Sequence, residues 1–461
     1  MNAIVDPGSF RDPAGRIFSS DERIYRTVMP VSAPAYESLR DTGLLERLIN
    51  DNKLVASKEV DPISLGDLAD TSQYLLEHPR IPFVSYPYEW SFALHKSAAL
   101  HHLDVHLEAL ESGFTLSDAT AYNVQFLGTR PTFIDHLSFR PYRDGEIWMG
   151  HRQFCMQFLN PLILRAVVGI EPNNWFRGSL EGISPEDLAP LISLRKSLSW
   201  TVLMHVKAQA SLQRRSLRSD TSRNPREQRL SLSGMKGILE GLRNYIEKLE
   251  LKNSETVWQN YAADNSYAKI QADEKRQFVC EMVEAANPAL LFDLGCNSGD
   301  YSQAALDAGA GSVVGFDFDQ GALEHAYKRF DAAKAHVLPL WLDAANPSPS
   351  QGWSQNERKG LAERSKADAL IALAFIHHIV IGRNIPLDMA IDWLISLAPV
   401  GVIEFPSKQD PMVQRLLRQR EDIFPDYEES NFLGLLGGKA RIVRSQHLSQ
   451  DGRLLVWYDR S

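Results

Sequence analysis

After Trp258 the chain alternates short apolar runs with segments whose apolar residues recur every three or four positions. Ala289–Leu294 reads as a strand, Ser302–Ala308 as a helix, Ser312–Phe316 as a strand and Gly321–Phe330 as a helix. Ala369–Ala374, Leu387–Leu397 and Val400–Phe405 continue as strand, helix and strand. A last pair of alternating runs, Ala440–His447 and Arg453–Tyr458, is joined by the turn sequence Ser449-Gln450-Asp451-Gly452 and predicts a hairpin. Strands separated by helices predict an α/β domain with a mostly parallel sheet.

The N-terminal half has a different rhythm. Gly8–Phe18 reads as a hairpin around Asp12-Pro13-Ala14-Gly15, and Trp90–Leu110 and Leu188–Leu212 as long helices, so this half is α+β. Between the halves, 211–229 is polar and carries six arginines, the pattern of a linker or exposed arm. Met235, Ile238, Leu239, Leu242, Ile246 and Leu249 then mark an amphipathic helix that Ser231 or Ser233 can cap. The expected divisions are 1–210, 211–254 and 255–461.

Composition narrows the function. The chain has 461 residues, 44% hydrophobic and 23% charged, enough apolar material for one core per domain. A net charge of −9 argues against a whole-protein field for nucleic acid, and the arginine arm has no interleaved aromatics for base stacking. Cys155, Cys280 and Cys296 are odd in number and in no metal spacing, which predicts a reduced compartment and no resident metal. His95, His102 and His106 share one helix face with no acidic partner, so they read as packing. No secretory pattern opens the chain, and the longest apolar run, Ala369–Ile381, is broken by two histidines. A soluble cytoplasmic protein without membrane partners is expected.

The strongest chemical signal is Leu291-Phe-Asp-Leu-Gly-Cys-Asn-Ser-Gly-Asp300, a strand running into a glycine-containing turn and a helix. Gly295 and Gly299 allow close approach of the backbone to a ligand. A dinucleotide fingerprint needs glycine where Asn297 and Asp300 stand, and an acid at the helix start repels a pyrophosphate. A cationic, phosphate-free cofactor escapes that repulsion, which favours S-adenosylmethionine over NAD. Asp317 ends the second strand, 22 residues after Gly295, where a carboxylate can accept both ribose hydroxyls. Asp343 and Ala344 follow the third strand and offer an acceptor and an amide to an adenine ring.

With DLGCNSG, VVGFD, WLDAA and LAFIHHIV in order, the region from Trp258 to Ser461 resembles the class I S-adenosylmethionine-dependent methyltransferases. The resemblance implies a Rossmann-like domain. It places Asp293, Gly295, Asn297 and Gly299 at the methionine end of the cofactor, Asp317 at the ribose, and Asp343 with Ala344 at the adenine. The stretches GFDFD, NPSPSQGW, IHHIVIG, IEFPSK and REDIFPDY also resemble the NoeA-like nodulation proteins, whose acceptor the resemblance does not define. Transfer needs alignment of the acceptor and removal of its proton. His377 and His378, at the end of the fourth strand, and Glu404, at the end of the fifth, are the candidate bases; Glu404 reads equally as a partner for an arginine. Tyr261 and Tyr267 are placed to close over the cofactor or to pack. Asn346–Trp353 reads as a lid or a surface loop. No N-P-P-Y signature follows the fourth strand, which leaves a hydroxyl of a small molecule or glycan slightly ahead as acceptor.

In the N-terminal half, Asp118 and Asn123 stand five apart and Asp135 follows a strand-like stretch. With Pro87-Tyr-Glu-Trp90 upstream, residues 20–210 look similar to the protein-kinase-like or aminoglycoside-phosphotransferase-like fold. That resemblance implies that Asp118 orients an acceptor hydroxyl and that Asn123 and Asp135 bind magnesium. The departures are Leu116 at the usual histidine position, no glycine-rich loop, and only Lys53 and Lys58 as candidates for the strand lysine. A degenerate module that recognises the acceptor or a partner is the leading expectation for this half. A phosphotransferase fused to a methyltransferase and a non-catalytic cofactor sensor are the alternatives.

Overall fold

Apolar–polar alternation early in the chain produces antiparallel strands in the computed structural model, which describes residues 3–20, 23–63, 69, 71–193, 195–196, 199–216, 229–251, 266–418, 420–448 and 452–461. Contacts divide the chain into two compact units. The first is Met1–Phe126, Arg130–Asn253 and Gln351–Arg358; the second is Leu127–Thr129, Ser254–Ser350 and Lys359–Ser461.

The first unit begins with a five-stranded antiparallel sheet in the order β1-β2-β3-β5-β4. Its strands are β1 (Ile4–Val5), β2 (Ile17–Ser19), β3 (Arg23–Val28), β4 (Lys58–Val60) and β5 (Tyr74–Pro79). Helices α1 (Ala33–Asp41) and α2 (Leu44–Asn50) lie between β3 and β4 in sequence. The expected hairpin over Gly8–Phe18 is corrected. Its first half, Pro7–Arg11, is a 3-10 helix, because Asp6 accepts the Gly8 amide and Pro7 starts the turn, and β2 pairs back to β1.

A helical part follows. α3 (Phe92–Glu111) starts on a Ser91 cap and buries His95, His102 and His106 among aromatic rings. Two short pairings, β6 (Phe114–Leu116) with β9 (Phe139–Pro141) and β7 (Val124–Leu127) with β8 (Arg130–Phe133), hold the loops between them. Helix α4 runs over 151–168 and α5 over 200–216. Each contains π turns: Cys155–Leu159 and Leu164–Val168 in α4, Leu203–Ala208 in α5. The expected continuous helix over Leu188–Leu212 is thus interrupted; Pro190 turns Ala189–Leu191 into a 3-10 segment, and helix resumes at Trp200. α6 (Leu232–Glu247) is the amphipathic helix, capped by Ser231, with Met235, Leu239, Leu242 and Ile246 buried. It docks on α3 through Arg243–Asp104 at 2.6 Å and Lys96, which donates to the carbonyls of Glu247 and Leu249. Most of the arginine arm, 217–228, and Trp258 and Tyr261 lie outside the described residues.

The second unit carries α7 (Ser266–Ala286) and a seven-stranded sheet in the order β12-β11-β10-β13-β14-β16-β15. The first five of these positions are parallel: β12 (Val337–Trp341), β11 (Ser312–Asp317), β10 (Leu290–Leu294), β13 (Ala369–Ala372) and β14 (Val400–Pro406). β16 (Arg453–Asp459) runs antiparallel between β14 and β15 (Arg441–Leu448). The residues that join these two strands, 449–451, are outside the described set. β10, β12 and β13 are buried along their whole length, as expected of parallel strands covered on both faces. The covering helices include α8 (Asp300–Asp307), α9 (Gln320–Ala333), α10 (Ile376–Arg383) and α11 (Leu387–Leu397). The chain lays β10, β11 and β12 outward on one side, then crosses back after β12 to place β13 and β14 on the other, so the order switches between β10 and β13, where open α/β sheets bind ligands in the crevice at the carboxyl ends of their strands. Among the described residues, no helix is long and apolar enough to cross a membrane.

Ile371, in the middle of β13, is fully buried in the core of this sheet with Leu291, Val313 and Val402. Ile371→Ala is expected to cost about 2–5 kcal/mol, read from the urea midpoint; a loss under about 1 kcal/mol contradicts this placement of the core.

Candidate functional site

The turn after β10 is shaped by two glycines and one asparagine. Gly295 has φ +74° and Gly299 φ +83°, and Asn297 between them sits at φ +50°. A Cβ on Gly299 would lie 2.4 Å from the Phe330 ring of α9, so only glycine packs there. The amides of Gly295 and Cys296 both donate to the Phe316 carbonyl, at 2.8 and 3.0 Å, which pulls the turn over the end of β11.

Asp317 ends β11 and completes this tie. Its Oδ2 accepts the Asn297 amide at 2.8 Å and its Oδ1 accepts the Asp319 amide at 2.8 Å. Burial raises its pKa, and these two amides oppose that rise. Each oxygen keeps a further lone pair, so the carboxylate can still accept two hydroxyls of a vicinal diol. Asp293 has a different role. It is buried, its Oδ2 accepts from Ser302 Oγ at 2.6 Å, and burial pushes its pKa up to about 7. It fixes the first turn of α8 onto β10.

Asp300, the acid at the helix start, pairs with Arg329 at 2.6 Å. Its charge is therefore compensated, and the argument against a pyrophosphate rests more on Asn297 and Asp300 standing where glycines are needed. Beyond β12, Asp343 Oδ1 accepts the Ala345 amide at 3.2 Å and lies 3.5 Å from Arg383 of α10. Arg383 also sits over the ring of Phe318, which is 58% exposed beside Asp317. A ring left that open beside the Asp317 carboxylate offers an apolar face on which a flat group can stack. Phe318 and Arg383 escaped the sequence reading. The apolar residue inside GFDFD was the only hint to the first, and the second is 40 positions from Asp343.

His377 and His378 stand on α10 rather than at the end of β13, because the strand ends at Ala372 and the chain bends at Ala374. Ala374 has φ +49°, and its amide donates to Glu404 Oε2 at 2.7 Å. The two imidazole rings are 4.2 Å apart. Burial lowers the pKa of both, and Arg453 lowers both further. Both are therefore neutral near pH 7, the form that can take a proton.

Glu404 is the centre of a buried charge network. Lys275 lies 2.7 Å from its Oε1, Arg453 Nη1 donates to the same oxygen at 3.0 Å, and Ala374 holds Oε2. Arg453 Nε reaches Asp410 at 2.7 Å, and Asp410 caps the next helix through the Met412 amide. Burial alone would raise the Glu404 pKa, but Lys275 and Arg453 outweigh it and hold the group at about 2. An acid so strongly ionised and fully engaged fixes the bend at Ala374. Its arginine partner was one of the two readings the sequence left open. Tyr267 lies on α7.

In the first unit, Asp118, Asn123 and Asp135 converge. Asn123 Nδ2 lies 3.3 Å from Asp118 Oδ1 and 3.4 Å from Asp135 Oδ2, and Ser138 Oγ donates to Asp118 at 2.7 Å. Burial, then the charge of Asp135, raises the Asp118 pKa to about 6. The cation that reaches this group is Arg26 of β3, 3.0 Å from Asp135 and 2.6 Å from Asp12. Lys53 instead pairs with Glu108 at 2.5 Å. The segment Gln351–Arg358 also belongs to this unit: the Arg358 guanidinium lies 4.2 Å from the centre of the Tyr122 ring and Gln351 donates to the Arg177 carbonyl. Gln351, near the distal end of the Asn346–Trp353 stretch, is thus tied to Arg177.

No family model matches the chain. It is 45% identical over 460 residues to "Nodulation protein NoeA" of Rhizobium meliloti (strain 1021), covering 98% of this chain and 96% of that protein. Among solved structures, it is similar to magnesium protoporphyrin IX methyltransferase (ChlM) from Synechocystis PCC 6803 with bound SAH, at 21% identity and a TM-score of 0.31 over 44% of this chain and 93% of that one. It is also similar to the N-methyltransferase NodS from Bradyrhizobium japonicum WM9 in complex with SAH, at 12% identity and a TM-score of 0.32 over 45% of this chain and 94% of that one.

The charge network gives a test. Glu404→Gln keeps the side-chain shape but leaves Lys275 and Arg453 with one carboxylate between them. The expected loss is about 3–5 kcal/mol in denaturant unfolding. A loss below about 1 kcal/mol would mean the network behaves as a solvated surface cluster.

Proposed function

Because the chain belongs to the family of nodulation protein NoeA, we propose that its members' shared second unit is an S-adenosylmethionine-dependent methyltransferase domain, acting on a small-molecule or glycan acceptor with a hydroxyl favoured. One observation carries the reading. Asp317, with an acceptor lone pair left on each oxygen, stands between a glycine turn and the exposed ring of Phe318. Diol acceptor, aromatic platform and close backbone turn match the ribose, adenine and methionine parts of that cofactor. When bound, S-adenosylmethionine supplies a methyl group activated by its sulfonium charge.

The residues of the chain then have distinct tasks. Gly295, Asn297 and Gly299 shape the turn for the methionine end, and Asp293 holds that turn to the sheet. Asp317 binds the ribose. Asp343 and Ala344 meet the adenine edge, with Arg383 steadying Asp343 and Phe318. Of the two histidines, His378 is assigned the proton of the acceptor hydroxyl, since His377 is only 1% exposed. Glu404 is a positioning residue that sets where α10 begins.

A second reading, phosphotransfer in the first unit, is favoured by the convergence of Asp118, Asn123 and Asp135. Against it, Pro7–Arg11 is a 3-10 helix where a glycine-rich loop would be needed, and both acids are already engaged by Asn123, Ser138 and Arg26. We favour a degenerate, kinase-like module that recognises the acceptor or a partner.

Calorimetric titration with S-adenosylhomocysteine and with Mg-ATP separates the readings. Adenosyl-ligand binding weakened more than about tenfold by Asp317→Ala, from lost charge-assisted hydrogen bonds, is expected. Phe318→Ala should weaken it as well, and it leaves the Asn297 tie in place. Absent binding, or affinity unchanged in both variants, overturns the proposal. Mg-ATP binding abolished by Asp135→Ala would instead establish the second reading.

A further inference from the structure

Helices α4 and α5 of the first unit each present a pair of side chains one helical turn apart. His151 and Cys155 lie on one face of α4, and His205 and Gln209 on one face of α5. His151 Nε2 is 2.7 Å from His205 Nδ1, Cys155 Sγ is 3.7 Å from His151 Nε2, and the three atoms lie within 4.8 Å of one another. Both helices pass through π turns here, at Cys155–Leu159 and Leu203–Ala208, a distortion frequent at functional sites.

We propose that His151 Nε2, Cys155 Sγ and His205 Nδ1 form a binding site for a zinc-class divalent transition ion, with Gln209 orienting His151. Zinc bonds of about 2.0–2.1 Å to nitrogen and 2.3 Å to sulfur in a tetrahedron require N···N near 3.3 Å and N···S near 3.6 Å. The Cys155–His151 N···S distance already fits, the rings must part by about 0.6 Å to reach the tetrahedral N···N spacing, and Cys155 Sγ and His205 Nδ1, within 4.8 Å of each other, must settle at the same N···S spacing. His151 and His205 are half-buried and Cys155 is buried, so solvent reaches the group from the histidine side, and water can complete a four-coordinate site.

Gln209 supplies the independent observation. Its Nε2 donates to His151 Nδ1 at 2.8 Å, which makes Nδ1 an acceptor and leaves the ring proton on Nε2. Its Oε1 is buried and has no hydrogen-bond partner. With a metal on Nε2, the proton moves to Nδ1, and rotation of the amide gives that proton to Oε1. Metal-bound histidines commonly carry such a partner on the other nitrogen. On binding, the Cys155 S–H bond breaks, its proton leaves to solvent, and the thiolate forms the sulfur–metal bond.

The test uses the full-length protein, stripped with chelator and titrated with Co²⁺. About one equivalent should give thiolate-to-cobalt charge-transfer absorption and the visible bands of a four-coordinate ion, and zinc should displace both. Cys155→Ser should abolish the charge-transfer band, Cys280→Ser should leave it intact, and His205→Asn should weaken binding at least about tenfold. Zinc should raise the melting temperature of the wild type and of neither site variant. If Cys155→Ser fails to fold, His205→Asn decides alone. No charge-transfer band below millimolar cobalt, a band that survives Cys155→Ser, or undiminished affinity in His205→Asn overturns the proposal.

Discussion

Two carboxylates each hold the amide of a residue forced into the left-handed region, and the second unit's site depends on them. Asp317 holds Asn297, and Glu404 holds Ala374. A left-handed backbone costs a side-chain-bearing residue roughly 1–2 kcal/mol. A hydrogen bond to a charged group returns about 1.5–3 kcal/mol. The balance favours the bend, so the conformations persist. The first bend lays the turn after β10 across the end of β11, and the second ends β13 at Ala372 and starts α10, which carries the two histidines. Sheet topology opens the crevice; these two contacts give it its shape.

The two carboxylates meet burial differently. Burial raises the Asp317 pKa and backbone amides temper that rise. Glu404 relies on Lys275 and Arg453, and through Arg453 on Asp410. The first arrangement leaves lone pairs free for a ligand, whereas the second leaves none. That difference, more than position at a strand end, is what assigns Asp317 to the ligand and Glu404 to the fold in the function proposed above. In the first unit, Asp118 and Asp135 are already engaged by Asn123, Ser138 and Arg26, as Glu404 is by its cations.

Much of this was legible in the sequence. Strands β10, β11, β13 and β14 are short, apolar and separated by periodic helices, and the glycines of the DLGCNSG turn stand where the backbone needs positive φ. The convergence of Asp118, Asn123 and Asp135 also followed from their order. What the sequence hid was long-range pairing. Nothing near Glu404 announces Lys275, 129 positions away, and nothing near Cys155 announces His205. The π turns that align α4 and α5 leave no periodic signature, and the break at Ala374 has none either, since its cause is an acid on a neighbouring strand. The hairpin expected at Gly8–Phe18 failed for a local reason, the Asp6–Pro7 start of a 3-10 turn.

The central claim is that an adenosyl cofactor occupies the carboxyl ends of β10, β11 and β12. Hydrogen exchange of the full-length protein with and without S-adenosylhomocysteine tests it most directly. The account predicts added protection in 293–300, 317–319 and 343–346, with 118–135 unchanged. Protection confined to other segments, or none at saturating ligand, would contradict it.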